Sequence, residues 1–192
     1  PSLRYPDMRI RALTRGDERE PPHSISRAMT RLRIRRFQPA DAYRLWRLFH
    51  DTVHSVNRPD YTPEERNAWA PSSFDADRWN ASFQDRTTFV AETDGRIAGF
   101  AELSPDDERI GRFYVSRHHQ RQGIGRRLYE ALEEEAKRRG VANLNVEASI
   151  TARPFFERVG FRIARRQTVE RRGVALTNFI LDKPLRKREG AP

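Results

Sequence analysis

A chain of 192 residues, 36% hydrophobic and without a cysteine, has the length of one ordinary domain and no means of forming disulfides, thiolate metal sites or a cysteinyl acyl intermediate. No apolar run approaches the roughly 20 residues needed to cross a bilayer, and the first residues lack the apolar stretch of a secretion signal, so a cytoplasmic protein without membrane association is expected. The net charge of +10 sits at the two ends, with ten arginines against four acids in residues 1–36 and a nearly neutral body over 37–182; basic ends of this kind are usually solvated, and no aromatic set is interleaved with the arginines, so a nucleic-acid partner is not expected.

Residues 1–30 show no sustained periodicity and scatter Pro1, Pro6, Gly16, Pro21 and Pro22 among arginines. Such a segment buries too little apolar surface to offset its ordering entropy, and a flexible basic extension is expected, with Met29 as a candidate natural start. A single domain is expected over 31–186 and a basic tail over 187–192. Leu32 and Ile34 alternate with arginines as in a half-buried strand. Pro39 then opens a helix in which Ala42, Leu45, Trp46, Phe49 and Val53 recur at helical spacing. Thr62-Pro63-Glu64-Glu65 spells a capping box and starts a short helix through Trp69. Another helix is predicted over 75–85. Strands over 87–93 and 96–103 flank Asp94-Gly95, a hairpin turn signal. After a turn at 104–107 comes a strand over 108–115, with Ile110, Phe113 and Val115 as its apolar positions. A long helix is predicted next, over 123–139. Its apolar face is Ile124, Leu128, Ala131, Leu132 and Ala136, its flank carries the pairs Glu133/Lys137, Glu134/Arg138 and Glu135/Arg139, and Gly140 ends it. A strand over 141–148, a short helix over 152–159 and two strands over 161–169 and 174–181 complete the chain. An antiparallel meander mixed with helical crossovers gives an α/β or α+β fold around one central sheet.

The start of the long helix is where chemistry concentrates. Gly123 and Gly125 lack Cβ, so a ligand can approach the backbone there. The first N–H groups of a helix have no internal partner, and its dipole makes that end partly positive, a setting that binds phosphate. Arg121, Arg126 and Arg127 crowd the same turn against the dipole, which argues for a polyanion such as a pyrophosphate. A Gly-x-Gly alone is equally compatible with a tight turn.

Gln120-Arg121-Gln122-Gly123-Ile124-Gly125 resembles the Gln/Arg-x-x-Gly-x-Gly/Ala pyrophosphate-binding motif of the GNAT N-acetyltransferase superfamily. Arg112-Phe113-Tyr114-Val115 is similar to that family's fourth strand, the stretch from Ala152 to Phe161 to its late helix-and-glycine motif, and Asp94 to Phe100 to its second hairpin. The resemblance covers residues 31–186. It implies a largely antiparallel sheet of six to seven strands with flanking helices, whose fourth and fifth strands splay apart around acetyl-CoA. Backbone groups of Phe113, Tyr114 and Val115 would hold the pantetheine and thioester. Amides of Gln120, Arg121, Gln122, Gly123, Ile124, Gly125 and Arg126 would hold the pyrophosphate. A primary amine, most simply on a small molecule, would enter from the opposite side and attack the thioester in a ternary complex. Relatives are often monomers or homodimers.

The sequence departs from the family's pattern in two ways. Phe156 stands where many relatives carry the tyrosine that serves as general acid, and the fourth strand has no acid between Arg109 and Arg112. The base would then be Glu147 at the end of the fifth strand, Glu102 on the third, or Glu108, the acid nearest that run. Each is also compatible with an ordinary surface or strand-pair carboxylate. Ser149 or Thr151 is expected to cap the late helix. The acceptor pocket is expected after the first helix, where Tyr61 and Trp69, and with them His50 and His54, are candidates. His118-His119 lack the spacing of a metal motif and are expected as exposed loop residues; no metal is expected. Two other readings are open: a non-catalytic CoA-binding module, and an acetyltransferase acting on a protein or tRNA-linked amine.

Overall fold

A computed structural model of the chain describes residues 32–104 and 108–185. The expected extension over 1–30 with Met29, the 105–107 part of the predicted turn and the tail over 187–192 lie outside the described residues. Within them, the period-two segments form seven strands: β1 (Arg33–Arg36), β2 (Thr87–Thr93), β3 (Arg96–Ser104), β4 (Arg109–Val115), β5 (Asn143–Ser149), β6 (Arg162–Arg171) and β7 (Val174–Pro184). The helices are α1 (Ala42–Ser55), α2 (Pro63–Trp69), α3 (Ala76–Ala81), α4 (Ile124–Arg138) and α5 (Arg153–Arg158). The strands make one sheet in the order β1-β2-β3-β4-β5-β7-β6, antiparallel throughout except where β5 lies parallel to β4. This is the mixed, mostly antiparallel architecture expected from the sequence.

The sheet is covered on both faces. Ala42, Leu45 and Leu48 of α1 pack with Phe83, Val90 and Phe100 on one side. Ile124, Leu128, Leu132 and Ala136 of α4 pack with Leu103, Ile110, Leu144 and Val146 on the other. β3 is therefore buried on both faces from Ala98 to Ser104. Leu128 has no exposed surface, and its truncation to alanine would cost about 2–5 kcal/mol.

Local chemistry explains the helix ends. Thr62 Oγ1 accepts from Glu65 N–H while the Glu65 carboxylate accepts from Thr62 N–H, which is the capping box expected from the sequence. The α3 helix is shorter than the predicted 75–85. Asp75 caps its start by accepting from Arg78 N–H, and the chain has turned out of it by Asp85, at φ 60°.

The far end of α4 is fastened by charge. Glu135, 6% exposed, takes Arg138 at 2.7 Å, Arg139 at 2.8 Å and Arg36 of β1 at 3.1 Å. The expected pair Glu134/Arg138 does not form. Glu135 sits on the buried side, where the arginine gains more than from solvated Glu134. The hydrogen bond from Arg138, opposed by burial and reinforced by Arg139, holds the Glu135 carboxyl down to about 2. Glu133 is joined to Lys183 of β7 at 2.6 Å, to Lys137 at 3.0 Å and to the Tyr129 hydroxyl. Burial would raise its carboxyl, but those three donors outweigh it and hold it to about 2.

Candidate active site

The site begins with one extra residue in β4. Ala101 lies opposite Phe113 and Leu103 opposite Ile110, so three steps along β4 match two along β3. This is a β-bulge at Gly111-Arg112. Because side chains alternate faces, the extra residue reverses the parity of the rest of the strand. Ile110 points to the α4 side, Arg112 and Tyr114 to the α1 side, and Phe113 back to the α4 side. Pairing with β5 stops at the same place: Arg109 meets Asn145 and Ile110 meets Val146, and the register goes no further. The splay expected between these strands is present.

Ser116 N–H donates to Ala98 O, toward β3. Neighbouring peptide groups alternate along a strand, so the N–H and C=O of Val115 turn the other way, into the gap. The Val115 carbonyl accepts from Gln120 Nε2 at 2.6 Å and from Thr52 Oγ1 at 3.4 Å. Gln120 thereby ties the loop before α4 to the end of β4. Gln122 donates to His118 O at 3.2 Å, and its side chain is turned away from the gap.

The loop enters α4 through two left-handed residues, Arg121 at φ 61° and Gly123 at φ 80°. The Gly123 carbonyl accepts from Arg127 N–H, which leaves the N–H groups of Ile124, Gly125 and Arg126 without a helical acceptor. A Cβ on Gly125 would stand 3.3 Å from the Phe155 ring. Arg121, Gly123, Ile124, Gly125 and Arg126 line a cavity of about 550 Å³, together with Phe113, Val115, Gln120 and Phe156. The side chains of Arg126 and Arg127 turn along the helix to Glu130, at 3.0 and 3.7 Å.

A second cavity of about 900 Å³ lies on the α1 side. Its walls are aromatic, with Trp46, Phe49, Trp79 and Tyr114 among them. The two cavities share Trp69, Gly111, Tyr114, Glu147 and Ser149, all at the gap between β4 and β5.

The three candidate carboxylates fall in different places. Glu147 lines both cavities and meets Arg109 at 3.3 Å, with a third of its side chain exposed. Glu102 is 1% exposed and ion-paired with Arg112, whose Nε donates to Oε2 at 2.8 Å and whose Nη2 stands 2.5 Å from Oε1. The Arg112 guanidinium lies over Trp79 and Phe83, 4.3 and 4.2 Å from the ring centres. Glu108 is exposed at φ 50° in the turn before β4 and lines neither cavity.

Of the acceptor candidates, Trp69 stands at the junction of the cavities. Tyr61 lines the larger one but acts as a strut: its hydroxyl donates to Thr177 O at 2.7 Å and accepts from Ile150 N–H at 2.9 Å, and burial raises the phenol. His54 bonds Ala70 O at 2.8 Å and lies tilted against the His50 ring; neither lines either of these two cavities. His119 corrects the expectation of an exposed loop pair. It is half-buried against the smaller cavity because the 3-10 turn Arg117–His119 rolls it inward, with Nδ1 buried and unpartnered, while His118 stays exposed. Ser149 Oγ accepts from Ala152 N–H at 3.0 Å and closes the turn before α5; Ala152 itself stands at the N-cap, so neither Ser149 nor Thr151 caps the helix as expected. Phe156, 1% exposed, packs edge-on against Phe113 and has no proton to offer. Reading the sequence missed Tyr114 as a side chain. Its phenol lines both cavities, and burial raises it well above the ordinary value against the opposing pull of a hydrogen bond with Trp69.

Residues 57–183 match the acetyltransferase (GNAT) domain family. The uncharacterized N-acetyltransferase YafP of Escherichia coli K12 is 33% identical over 153 residues, which are 80% of this chain and 96% of the relative. A GCN5-related N-acetyltransferase structure from Rhodopseudomonas palustris superposes with a TM-score of 0.76 at 31% identity, over 80% of this chain and 95% of that one. The PaiA N-acetyltransferase of Thermoplasma acidophilum, in complex with coenzyme A, shares the fold at a TM-score of 0.65 and 18% identity, over 80% and 99% of the two chains. With this split sheet and this helix start, the chain belongs to the GNAT family of N-acetyltransferases.

Proposed function

We propose that the protein moves an acetyl group from acetyl-CoA to a primary amine of a small molecule, by direct attack in a ternary complex. The observation that carries this reading is the meeting of two cavities from opposite faces at the gap between β4 and β5. One substrate can reach the gap along α4 while the other arrives from the α1 side. The donor site fits an acyl-CoA: the free N–H groups of Ile124, Gly125 and Arg126 suit a pyrophosphate, and Gly125 leaves room that a side chain would fill. The PaiA fold relative holds coenzyme A, which agrees with this assignment.

Acetyl-CoA supplies the activated acyl group. The amine nitrogen bonds to the thioester carbon, the carbon–sulfur bond breaks, and the thiolate departs. Glu147 accepts the proton that the amine sheds, being the carboxylate that lines both cavities. Val115 N–H, turned into the gap, donates to the oxyanion. Glu102 is engaged by Arg112 and keeps the α1-side wall in place. Phe156 leaves the thiolate without the family's usual acid. A free thiol has a pKa of about 8.5, so departure to solvent is tolerable. Tyr114 carries a phenol that is protonated at neutral pH even at the ordinary value of about 10 and that burial raises further, so it is a hydrogen-bond donor at the junction rather than a strong acid. The larger cavity, about 900 Å³ and walled by aromatic rings, has the dimensions of a small-ligand site, which favours a small acceptor over a macromolecule.

The test is release of free thiol from acetyl-CoA across a broad amine panel. Turnover with at least one small amine is expected. Tight acetyl-CoA binding without release from any small amine, peptide or aminoacyl-tRNA would favour the binding-module reading instead.

A further inference from the structure

The acceptor cavity carries more positive charge than its carboxylates cancel. Two of its cations are matched within the wall, Arg112 by Glu102 and Arg109 by Glu147. Four more arginines line it: Arg78 from α3, Arg86 from the turn before β2, and Arg171 and Arg172 from the tip of the β6–β7 hairpin. Among the described residues none of these four has a carboxylate partner; Arg172 donates to the Ala68 carbonyl at 2.6 Å, which leaves its charge uncancelled. The one carboxylate left over, Asp75, is occupied in capping α3.

An isolated exposed arginine is ordinary surface. Here three separate elements bring like charges to one cavity, at a cost in repulsion, beside apolar walls that concentrate their field. Asn178, which lines the cavity and is paired with Ser149 across the β5–β7 ladder, has Oδ1 buried and, among the described residues, unpartnered, an acceptor for an N–H. A cavity with a buried free acceptor, aromatic sides and four guanidinium groups without a carboxylate partner suits a ligand that carries both an amine and an anion.

We infer that the acceptor is an amine that also carries an anionic group, a carboxylate or a phosphate, and that polycationic amines are excluded. This inference rests on the acetyl-transfer reading. The anion meets Arg86 and Arg171, with Arg78 and Arg172 adding field, while the amine reaches the gap beside Glu147.

The test uses matched pairs: L-phenylalanine against 2-phenylethylamine, and O-phosphoethanolamine against ethanolamine, with spermidine and kanamycin as polycations. Thiol release is measured for each, and binding of each to the CoA-saturated protein is followed by calorimetry. The anionic member of one pair is expected to lead its neutral partner about tenfold or more in kcat/KM or in affinity, as a charge-assisted hydrogen bond would give. The pair that responds tells carboxylate from phosphate. The double variant R86E/R171E is expected to shrink that lead about tenfold. Anionic members that bind without thiol release would keep the inference and overturn the transfer reading. Turnover that favours neutral or polycationic amines, or a lead that survives the double charge reversal, would keep the transfer reading and overturn the inference. Neither binding nor release with any compound overturns both.

Discussion

Arg112→Met tests whether Glu102 is part of the wall or part of the chemistry. Methionine retains much of the arginine stem's volume and removes its charge. The change leaves a carboxylate that is 1% exposed without its partner, at a cost of about 3–5 kcal/mol for a broken buried pair. The stacking of the guanidinium on Trp79 and Phe83 adds about 1 kcal/mol. A loss of about 4–6 kcal/mol is a large share of the roughly 5–15 kcal/mol that holds a domain of this size. Glu102→Gln is milder, about 1–3 kcal/mol, because the amide oxygen still accepts from the guanidinium, which is 18% exposed. With both changes made no charge is stranded, so the double variant should be more stable than the sum of the single losses by about 2 kcal/mol. Urea unfolding of the four proteins measures each quantity, with unchanged m-values confirming comparable states. Loss of under about 1 kcal/mol for Arg112→Met, or strict additivity, would refute the pair as a structural anchor. Near-complete loss of kcat in a folded, stable Glu102→Gln protein would move the base from Glu147 to Glu102.

The site and the helix that carries it lead to three other expected outcomes. Gly125→Glu should lower acetyl-CoA affinity about 100-fold or more while the protein stays folded, since the new carboxylate enters the phosphate site beside Phe155 yet suits a helix start; unchanged affinity by calorimetry would displace the site. Glu147→Gln should lower kcat about 10²-fold or more with acetyl-CoA affinity nearly unchanged, and equal effects on both would remove Glu147 as base. Stability should fall in acid as Glu133 and Glu135 take up protons. Both are held to about 2 in the fold against an ordinary value of 4.5, so their contribution is whole above pH 4.5 and disappears as pH falls toward 2. Denaturant midpoints of the wild type and of Glu135→Gln should therefore converge across that window, and parallel curves would contradict the assignment.

Most of the sheet was legible because its strands alternate and its long helix keeps a 3.6 period. The glycine-arginine turn before α4 was legible because left-handed backbone and a helix start leave marks in residue type. The bulge was not. A lone glycine inside a strand, Gly111, was its single local sign, and such a glycine is as often a plain packing choice. Without the bulge the parity of β4 is misread, so Arg112 looked like one member of an acid-free run rather than the partner of Glu102, ten residues away. Tyr114 was read for its backbone alone for the same reason. The Glu135 cluster escaped because helix spacing names candidate partners but not which of them lies on the buried side. His119 was missed because a half-turn of 3-10 helix decides which of two adjacent histidines faces inward.

In the proposed reaction the bulge is also what lets one sheet serve two substrates. A regular strand would keep Ile110, Arg112 and Tyr114 on one face and continue its pairing with β5, closing the gap. One inserted residue opens the gap and sends Arg112 and Tyr114 to the face opposite Ile110. The donor side is then built mainly from main-chain groups, the N–H of Val115 and those at the start of α4, which depend on conformation more than on residue identity. The acceptor side is built from side chains on α1, α3, the turn before β2 and the β6–β7 hairpin, where single substitutions change charge and shape without altering the main chain at the gap. The family's cofactor site is for this reason readable from a short motif, whereas the acceptor has to be read from the arginines and aromatic rings that these separate elements bring together.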